Sequence, residues 1–144
     1  MSIWKVRPEL AAVIRLQQGT IADSLGITIT EIGEDFVRGT MPVDRRTHQP
    51  MGILHGGASV VLAESLGSMA ANFCVDVGSH YCVGLDINAN HIRAVRSGLV
   101  TGTARPVHLG RTTQVWEIRI EDERGRLVCV SRLTMAVLAR EGTA

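Results

Sequence analysis

The segment HGGASVVLAES, from His55 to Ser65, carries a carboxylate inside an otherwise apolar run. Two glycines interrupt the chain at its start, and Glu64 stands near its end. Carboxylates are among the side chains least often buried without a partner, so this position requires an explanation. If the segment is helical, Glu64 shares a narrow polar stripe with Ser68 and Asn72, because residues four apart lie on one face of a helix.

The start of that helix offers a second chemical group. It begins at Gly56 and Gly57, directly after His55. The first N–H groups of a helix lack an intrahelical acceptor and carry the positive end of the helix dipole, and glycine lets another atom approach closely. Such an N–H could polarise a carbonyl, while Glu64, about two turns along, could attack it or deprotonate a water. The pattern fits hydrolysis of an activated acyl group; a tight turn followed by a structural or solvent-facing Glu64 remains the alternative.

The elements around this segment predict an α+β fold. The run from Gly56 to Phe73 is helical in composition and apolar on most of its circumference, which is typical of a helix in the middle of a protein. A short amphipathic helix over residues 7–19 and strand-like runs over 26–33 and 36–43 come before it. Four strand-like runs come after it: Tyr81–Ala89, Leu99–Arg105, Thr112–Glu121 and Arg126–Leu138. This order favours an antiparallel sheet of about six strands that wraps the helix, with identical subunits covering what remains exposed.

Composition and charge narrow the class of protein. A chain of 144 residues predicts one domain, over residues 1–144. The net charge of +1 argues against a nucleic-acid partner. No apolar run approaches the roughly 20 residues of a membrane span, and the segment MSIWKVRPEL lacks the apolar core of a signal peptide. The three cysteines form no C-x-x-C pair, so we expect a reduced, cytoplasmic protein without a disulfide framework.

Other catalytic motifs are missing from the sequence. The five histidines show no metal-ligand spacing, and there is no nucleophile elbow or nucleotide-binding loop. We therefore expect no metal site. Two segments mix arginine and histidine with small hydrogen-bonding residues, which favours either phosphate contacts or ordinary solvated loops: NANHIRAVRSG and RPVHLGRTTQ.

Three segments resemble the hotdog-fold acyl-CoA thioesterases: MPVDRRTHQPMGILHGGASVVLAESLGSMA, GLDINANHIRAVRSG and PVHLGRTTQVWEIRI. The likeness is greatest to the branch of 4-hydroxybenzoyl-CoA, phenylacetate-pathway, 1,4-dihydroxy-2-naphthoyl-CoA and enterobactin proofreading thioesterases. It covers nearly the whole chain and is weakest before residue 25. It implies a curved antiparallel sheet around a long central helix, a dimer with active sites between its subunits, and pairing of dimers into a tetramer.

The resemblance also implies residue roles. Glu64 is the catalytic carboxylate, Gln49 helps to bind the thioester or water, and the Gly56 N–H polarises the carbonyl. His55 orients this region, and Ser68 or Ser65 lies by the carboxylate. The positions at which the family binds coenzyme A correspond here to Gly84, His91, Ile92, Arg93, Ala94, His108, Leu109, Gly110, Arg111, Thr112 and Thr113.

The reaction implied is hydrolysis of an acyl-CoA, aroyl or medium-sized, or of an acyl-carrier thioester. No cofactor is implied, because coenzyme A is part of the substrate and product. Met51, Met69 and Phe73 could line an acyl pocket. Two alternatives remain at this stage: a hydratase or dehydratase acting on acyl thioesters, and a non-catalytic acyl-CoA-binding protein.

Overall fold

The structure, a computed structural model, describes residues 1–142. Thr143 and Ala144, the last residues of the predicted domain, lie outside the described residues. None of the helices within residues 1–142 has the length and hydropathy needed to span a bilayer. The elements follow in this order: α1 (Leu10–Leu16), α2 (Ile21–Ser24), β1 (Thr28–Ile32), β2 (Val37–Pro42), α3 (Gly56–Phe73), β3 (His80–His91), β4 (Leu99–Leu109), β5 (Thr113–Glu121) and β6 (Leu127–Ala139).

The strands form one six-stranded sheet in the order β1-β2-β4-β5-β6-β3. Every neighbouring pair is antiparallel. The sheet therefore has β1 at one edge and β3 at the other. Helix α3 packs against β2, β3, β4, β5 and β6, so the sheet wraps it. The predicted α+β architecture, a curved antiparallel sheet around a long central helix, is confirmed.

Helix α3 has the bounds that its composition predicts. Its sheet-facing side is built from small and aliphatic residues, including Leu62, Leu66 and Gly67. A Cβ on Gly67 would stand 2.7 Å from Leu133 of β6, so the helix lies closer to the sheet than any larger residue would allow. On β5 the side chains alternate between the two faces of the sheet, and its inward side is buried: Gln114, Trp116, Ile118 and Ile120.

A β-bulge in β3 decides which of its residues face the helix. The register with β6 shifts between Gly84 and Asp86. Side chains alternate between the faces of a strand, and an extra residue reverses that alternation. On one side of the bulge Cys82 packs beside α3, and on the other Ile87 packs against the same core. Two residues on opposite sides of the bulge therefore face the helix together when they are an odd number of positions apart.

The structure differs from the sequence interpretation at several boundaries. Helix α1 runs from Leu10 to Leu16, so it is shorter at both ends than the predicted range 7–19, and the short helix α2 was not predicted. Strands β3 and β4 run further than expected, so that His91, His108 and Leu109 belong to strands. Antiparallel pairing with a neighbouring strand extends each of them beyond what local composition indicates.

The N-terminal segment crosses the C-terminal end of α3. Trp4 is buried, its indole N–H donates to the Gly33 carbonyl at 2.7 Å, and its ring meets Phe73 edge-on at 6.1 Å between centroids. The Lys5 N–H donates to the Phe73 carbonyl at 2.9 Å. Phe73 therefore packs against this segment.

Candidate active site

The start of α3 is held by a histidine cap. His55 is the N-cap residue, and its Nδ1 accepts a hydrogen bond from the Gly57 N–H at 2.7 Å. The His55 N–H itself donates to the carbonyl of Thr47, a buried residue of the preceding loop, at 2.7 Å. Within residues 1–142 the Gly56 N–H has no acceptor. The Gly56 N–H, the predicted oxyanion donor, is therefore fixed in place and free to donate a hydrogen bond.

The loop before α3 carries Gln49 to this helix start. Backbone hydrogen bonds fix the loop, among them Gln49 N–H to the Ile53 carbonyl at 2.9 Å and Leu54 N–H to the Val95 carbonyl at 2.8 Å. The Gln49 side-chain carbonyl accepts from the Met51 N–H. Together with the end of β3, the loop and helix enclose a cleft of about 310 Å³ whose lining includes Gln49, Gly56, Ser59, His91, Ile92, Arg93 and Ala94.

His91 explains why a glycine stands at position 56. A Cβ on Gly56 would lie 2.9 Å from His91 Nε2 and 3.0 Å from its Cε1. Such contacts are closer than side chains tolerate, so the imidazole would have to move. The absent side chain therefore lets the His91 ring sit directly against the helix start. His91 reaches this place because the β3 bulge turns it to the helix face.

Glu64 lies in the middle of α3 and points toward β3. A Cβ on Gly84 would stand 2.5 Å from Glu64 Oε1, so the carboxylate occupies the space that a larger residue would fill. None of the hydrogen bonds or ion pairs within residues 1–142 involves this carboxylate. It belongs to the half-buried side of α3, which also includes Val60, Val61, Ser65, Ser68 and Met69.

Asn72 continues the predicted polar stripe and ties it to β3. Its Oδ1 accepts from the Cys82 N–H at 2.9 Å, and its Nδ2 donates to the Ser68 carbonyl at 2.9 Å. The first bond ties α3 to β3 one turn beyond Ser68, and the second lies within α3. No side chain in the described part of the chain bonds to the Glu64 carboxylate. Its place over Gly84 is therefore set by the position of α3 against β3.

The predicted coenzyme A-binding residues of the β4–β5 hairpin lie far from the Gly56 cleft. The tip of the β4–β5 hairpin, His108–Thr113, is at the C-terminal end of α3, and three of its residues, Leu109, Gly110 and Arg111, line a second cavity with Cys74 and His80. Gly110 N–H closes the turn on the Thr113 carbonyl at 2.9 Å. The 18 residues of α3 extend about 27 Å. Within one chain, then, the two predicted coenzyme A segments stand at opposite ends of the helix.

The pKa values of the three cysteines argue against a thiol nucleophile. Burial raises the pKa of the Cys74 thiol to about 12, with a further contribution from Cys82. Burial likewise raises the pKa of Cys82 and Cys129. These thiols stay protonated near neutral pH and are poor nucleophiles. Within residues 1–142 no three His, Cys, Asp or Glu side chains gather as metal ligands.

Ser59 is a residue that the sequence interpretation missed. It is 1% exposed and lines the cleft beside Gly56 and His91. It lies three residues after Gly56, so helical spacing alone would have placed it on that side of the first turn. Its hydroxyl is an additional polar group at the cleft.

Comparisons with known proteins show which family this chain resembles. The family described as the Thioesterase superfamily matches residues 51–129. The 1,4-dihydroxy-2-naphthoyl-CoA hydrolase of Escherichia coli (strain K12) is 53% identical over 136 residues, covering 94% of this chain and 99% of that protein. The proofreading thioesterase EntH of Cronobacter sakazakii is 52% identical over 94% of this chain and 98% of its own.

A solved structure extends the likeness to three dimensions. The mutant thioesterase PA1618 (Q49A) from Pseudomonas aeruginosa superposes with a TM-score of 0.95 at 53% identity, covering 96% of this chain and 100% of that chain. Sequence and fold thus agree over almost the whole length. The chain belongs to the thioesterase superfamily and is a hotdog-fold thioester hydrolase.

Proposed function

We propose that residues 1–144 act as one domain that hydrolyses acyl-CoA thioesters to a carboxylic acid and free coenzyme A. The acyl group is aroyl or of similar size, which is supported by the name of the 1,4-dihydroxy-2-naphthoyl-CoA hydrolase relative. The observation that carries the proposal is a pair of unengaged groups on one helix: the Gly56 N–H and the Glu64 carboxylate. The reaction needs no cofactor, and we place it in the cytoplasm, where the three free cysteines stay reduced.

In the proposed reaction the Gly56 N–H binds the thioester oxygen and stabilises the negative charge that develops on it. His55 keeps this N–H in position through its cap, and Gln49 contacts the thioester or the attacking water from the loop. Glu64 either attacks the carbonyl carbon, giving an anhydride that water then cleaves, or removes a proton from the attacking water. In both routes the C–S bond breaks and the thiolate of coenzyme A leaves and takes up a proton.

A single chain does not bring these groups together. Gly56 and Glu64 are eight residues apart on α3, which is about 12 Å along the axis. A base or nucleophile must approach the reacting atoms to about 3 Å while the oxyanion donor binds the same carbonyl. A second copy of the chain must therefore supply one of the two groups.

Pairing of two β3 edges would bring Glu64 of one copy to the Gly56 N–H of the other. The outer edge of β3 has no neighbour within the described sheet, and its Val83 and Leu85 are exposed by 39% and 61%. Glu64 lies over Gly84, and Gly56 lies against His91. If two β3 strands pair antiparallel around a two-fold axis, with Gly84 of one beside His91 of the other, Glu64 of one protomer faces the Gly56 N–H of its partner. The half-buried side of each α3 is covered by the same contact.

The first experiment tests the carboxylate. Release of free thiol is followed across aroyl-, arylacetyl- and fatty acyl-CoAs for the native chain and for Glu64→Gln. We expect a loss of at least two orders of magnitude in kcat with the fold intact, as for removal of a nucleophile or general base. Glu9→Gln, an exposed carboxylate before α1, is the matched control. Near-native turnover of every accepted thioester by folded Glu64→Gln would overturn the role, and hydration of an enoyl-CoA without thiol release would favour a hydratase.

The second experiment tests the shared site. Glu64→Gln and Gln49→Ala chains, each of which we expect to have lost most activity, are mixed by unfolding and refolding together. If each site takes Glu64 from one protomer and Gln49 from the other, every mixed dimer contains one intact site, and activity returns to about a quarter of the native value for random pairing. If both residues came from one chain, every site would carry a defect and the mixture would stay inactive.

A further inference from the structure

The loop between β2 and α3 buries one polar side chain. Three residues of the segment 43–55 are buried, Val43, Thr47 and Leu54, and of these Thr47 is polar and only 2% exposed. Burying a hydroxyl is costly unless it is hydrogen-bonded, so its partners show what holds it there. Because the loop carries Gln49 and leads into α3, a residue that fixes the loop also fixes one wall of the cleft.

Thr47 joins the end of β2 to the residue that caps α3. Its Oγ1 donates a hydrogen bond to the Pro42 carbonyl at 2.7 Å, and its own carbonyl accepts from the His55 N–H at 2.7 Å. His55 Nδ1 in turn accepts from the Gly57 N–H at 2.7 Å. Pro42 pairs with β4 and so belongs to the sheet. Three short hydrogen bonds therefore connect the sheet to the first turn of α3, which presents the Gly56 N–H.

The same residue also fixes the loop itself. Thr47 Oγ1 accepts from the Asp44 N–H at 3.2 Å, and the Thr47 N–H donates to the Asp44 carbonyl at 3.0 Å. The next residue, His48, contacts the Arg96 carbonyl through Nε2 at 2.9 Å and ties the loop to the segment after β3. Within the described part of the chain, Thr47 is the one residue of the loop that is hydrogen-bonded to His55.

We propose that Thr47 is a positioning residue for thioester hydrolysis, and that it sets the direction of the Gly56 N–H through His55. The inference rests on the proposed function, in which that N–H stabilises the negative charge on the thioester oxygen. Such a donor works because it is fixed in place before the reaction, and a displacement of about 1 Å costs about 100-fold in rate. Without the hydroxyl, the Pro42 carbonyl loses its donor and the Thr47 side chain no longer ties His55 to the sheet.

The test separates the hydroxyl from the volume of the side chain. Thr47→Val removes the hydroxyl and keeps the shape, whereas Thr47→Ser keeps the hydroxyl and removes a methyl group. In thiol release from an aroyl-CoA, Thr47→Val should lower kcat about tenfold or more and change KM less than about twofold, because the lost interaction acts in the transition state. Thr47→Ser should retain kcat within about twofold of native. If Thr47→Val does not fold, Thr47→Ala takes its place, since it puts no methyl group against the Pro42 carbonyl.

Two control variants account for the loss of a hydroxyl and for the loss of stability. Thr28→Val removes an exposed hydroxyl of β1 that has no hydrogen-bond partner within residues 1–142, so its kcat should be native. Val13→Ala removes buried methyl groups from α1, which packs against β1, so it should lower the unfolding temperature and leave kcat native. A folded Thr47→Val protein with native kcat overturns the proposal, and so does a Thr47→Ser protein that loses as much activity as Thr47→Val.

Amide hydrogen exchange follows the position of the cap without any turnover. The Gly57 N–H is protected by its bond to His55 Nδ1, and its exchange should be about tenfold faster or more in Thr47→Val. It should keep its native rate in Thr47→Ser and Thr28→Val. Unchanged Gly57 exchange in Thr47→Val overturns the positioning role whatever the activity. A native protein that releases thiol from no thioester overturns the proposed function, and Gly57 exchange then decides separately whether Thr47 positions the start of α3.

Discussion

Replacing Gly84 by alanine should disable the enzyme without unfolding it. The new Cβ would stand 2.5 Å from Glu64 Oε1, whereas ordinary van der Waals contact begins near 3.4 Å. The carboxylate must therefore retreat by about 1 Å, and a misplacement of that size costs about 100-fold in rate when the group acts on the reacting carbon. Gly84 is exposed and its φ is not positive, so the backbone accepts alanine. We expect kcat to fall about 100-fold while KM changes little.

The assay is thiol release from an aroyl-CoA under saturation, with thermal unfolding of each variant measured in parallel. Gly78→Ala is the matched control, because that glycine also lacks a positive φ and its Cβ would meet only the Asp76 carboxylate, at 3.2 Å. Its kcat should be native. A folded Gly84→Ala protein with native kcat would refute the reasoning, since the reacting carboxylate would then not be the one held over Gly84.

Two further predictions concern the frame around the site. Asn72→Ala leaves the buried Cys82 N–H without its acceptor, so urea denaturation should show a loss of about 1–3 kcal/mol, whereas exposed Asn88→Ala should lose less than about 0.5 kcal/mol. In the loop before α3, the hydrogen bond from Arg46 lowers the pKa of Asp44 to about 2, and Arg46→Ala should return it towards 3.8 in an NMR titration. Because the folded pKa is depressed, this pair stabilises the native protein above about pH 4 and ceases to do so as the pH falls through about 2. An Asp44 that titrates at the same pH in both proteins would contradict the assignment.

The parts of the fold that follow from local pattern were predictable from the sequence. The bounds of α3 follow from a proline-free run, rich in helix-forming residues, between the glycines and the end of the apolar stretch. The inward side of β5 follows from strict alternation, and the stripe from Glu64 to Asn72 follows from helical spacing. In each case the residues that decide the structure are neighbours in the chain.

What the sequence did not reveal depends on contacts between distant segments. Gly84 interrupts a strand-like run, which is typical of a bulge or of close backbone approach, but the register shift itself is set by pairing with β6. Lys5 and Arg111 line the same cavity only because the N-terminal segment crosses the end of α3. The separation of His108–Thr113 from the Gly56 cleft is likewise a property of the whole sheet. Local patterns identified the chemical groups, and tertiary packing determined which of them meet.

The β3 bulge links these observations. Gly84 and His91 are seven residues apart, so in a regular strand they would point to opposite faces of the sheet. The shift between Gly84 and Asp86 puts both on the helix side, one beneath the Glu64 carboxylate and the other against Gly56. The same strand then forms the free edge where a second copy can pair. A single added residue in β3 thus puts Gly84 and His91 on the same face of that strand. Each marks one half of the proposed site, and both lie on the edge at which two copies would pair.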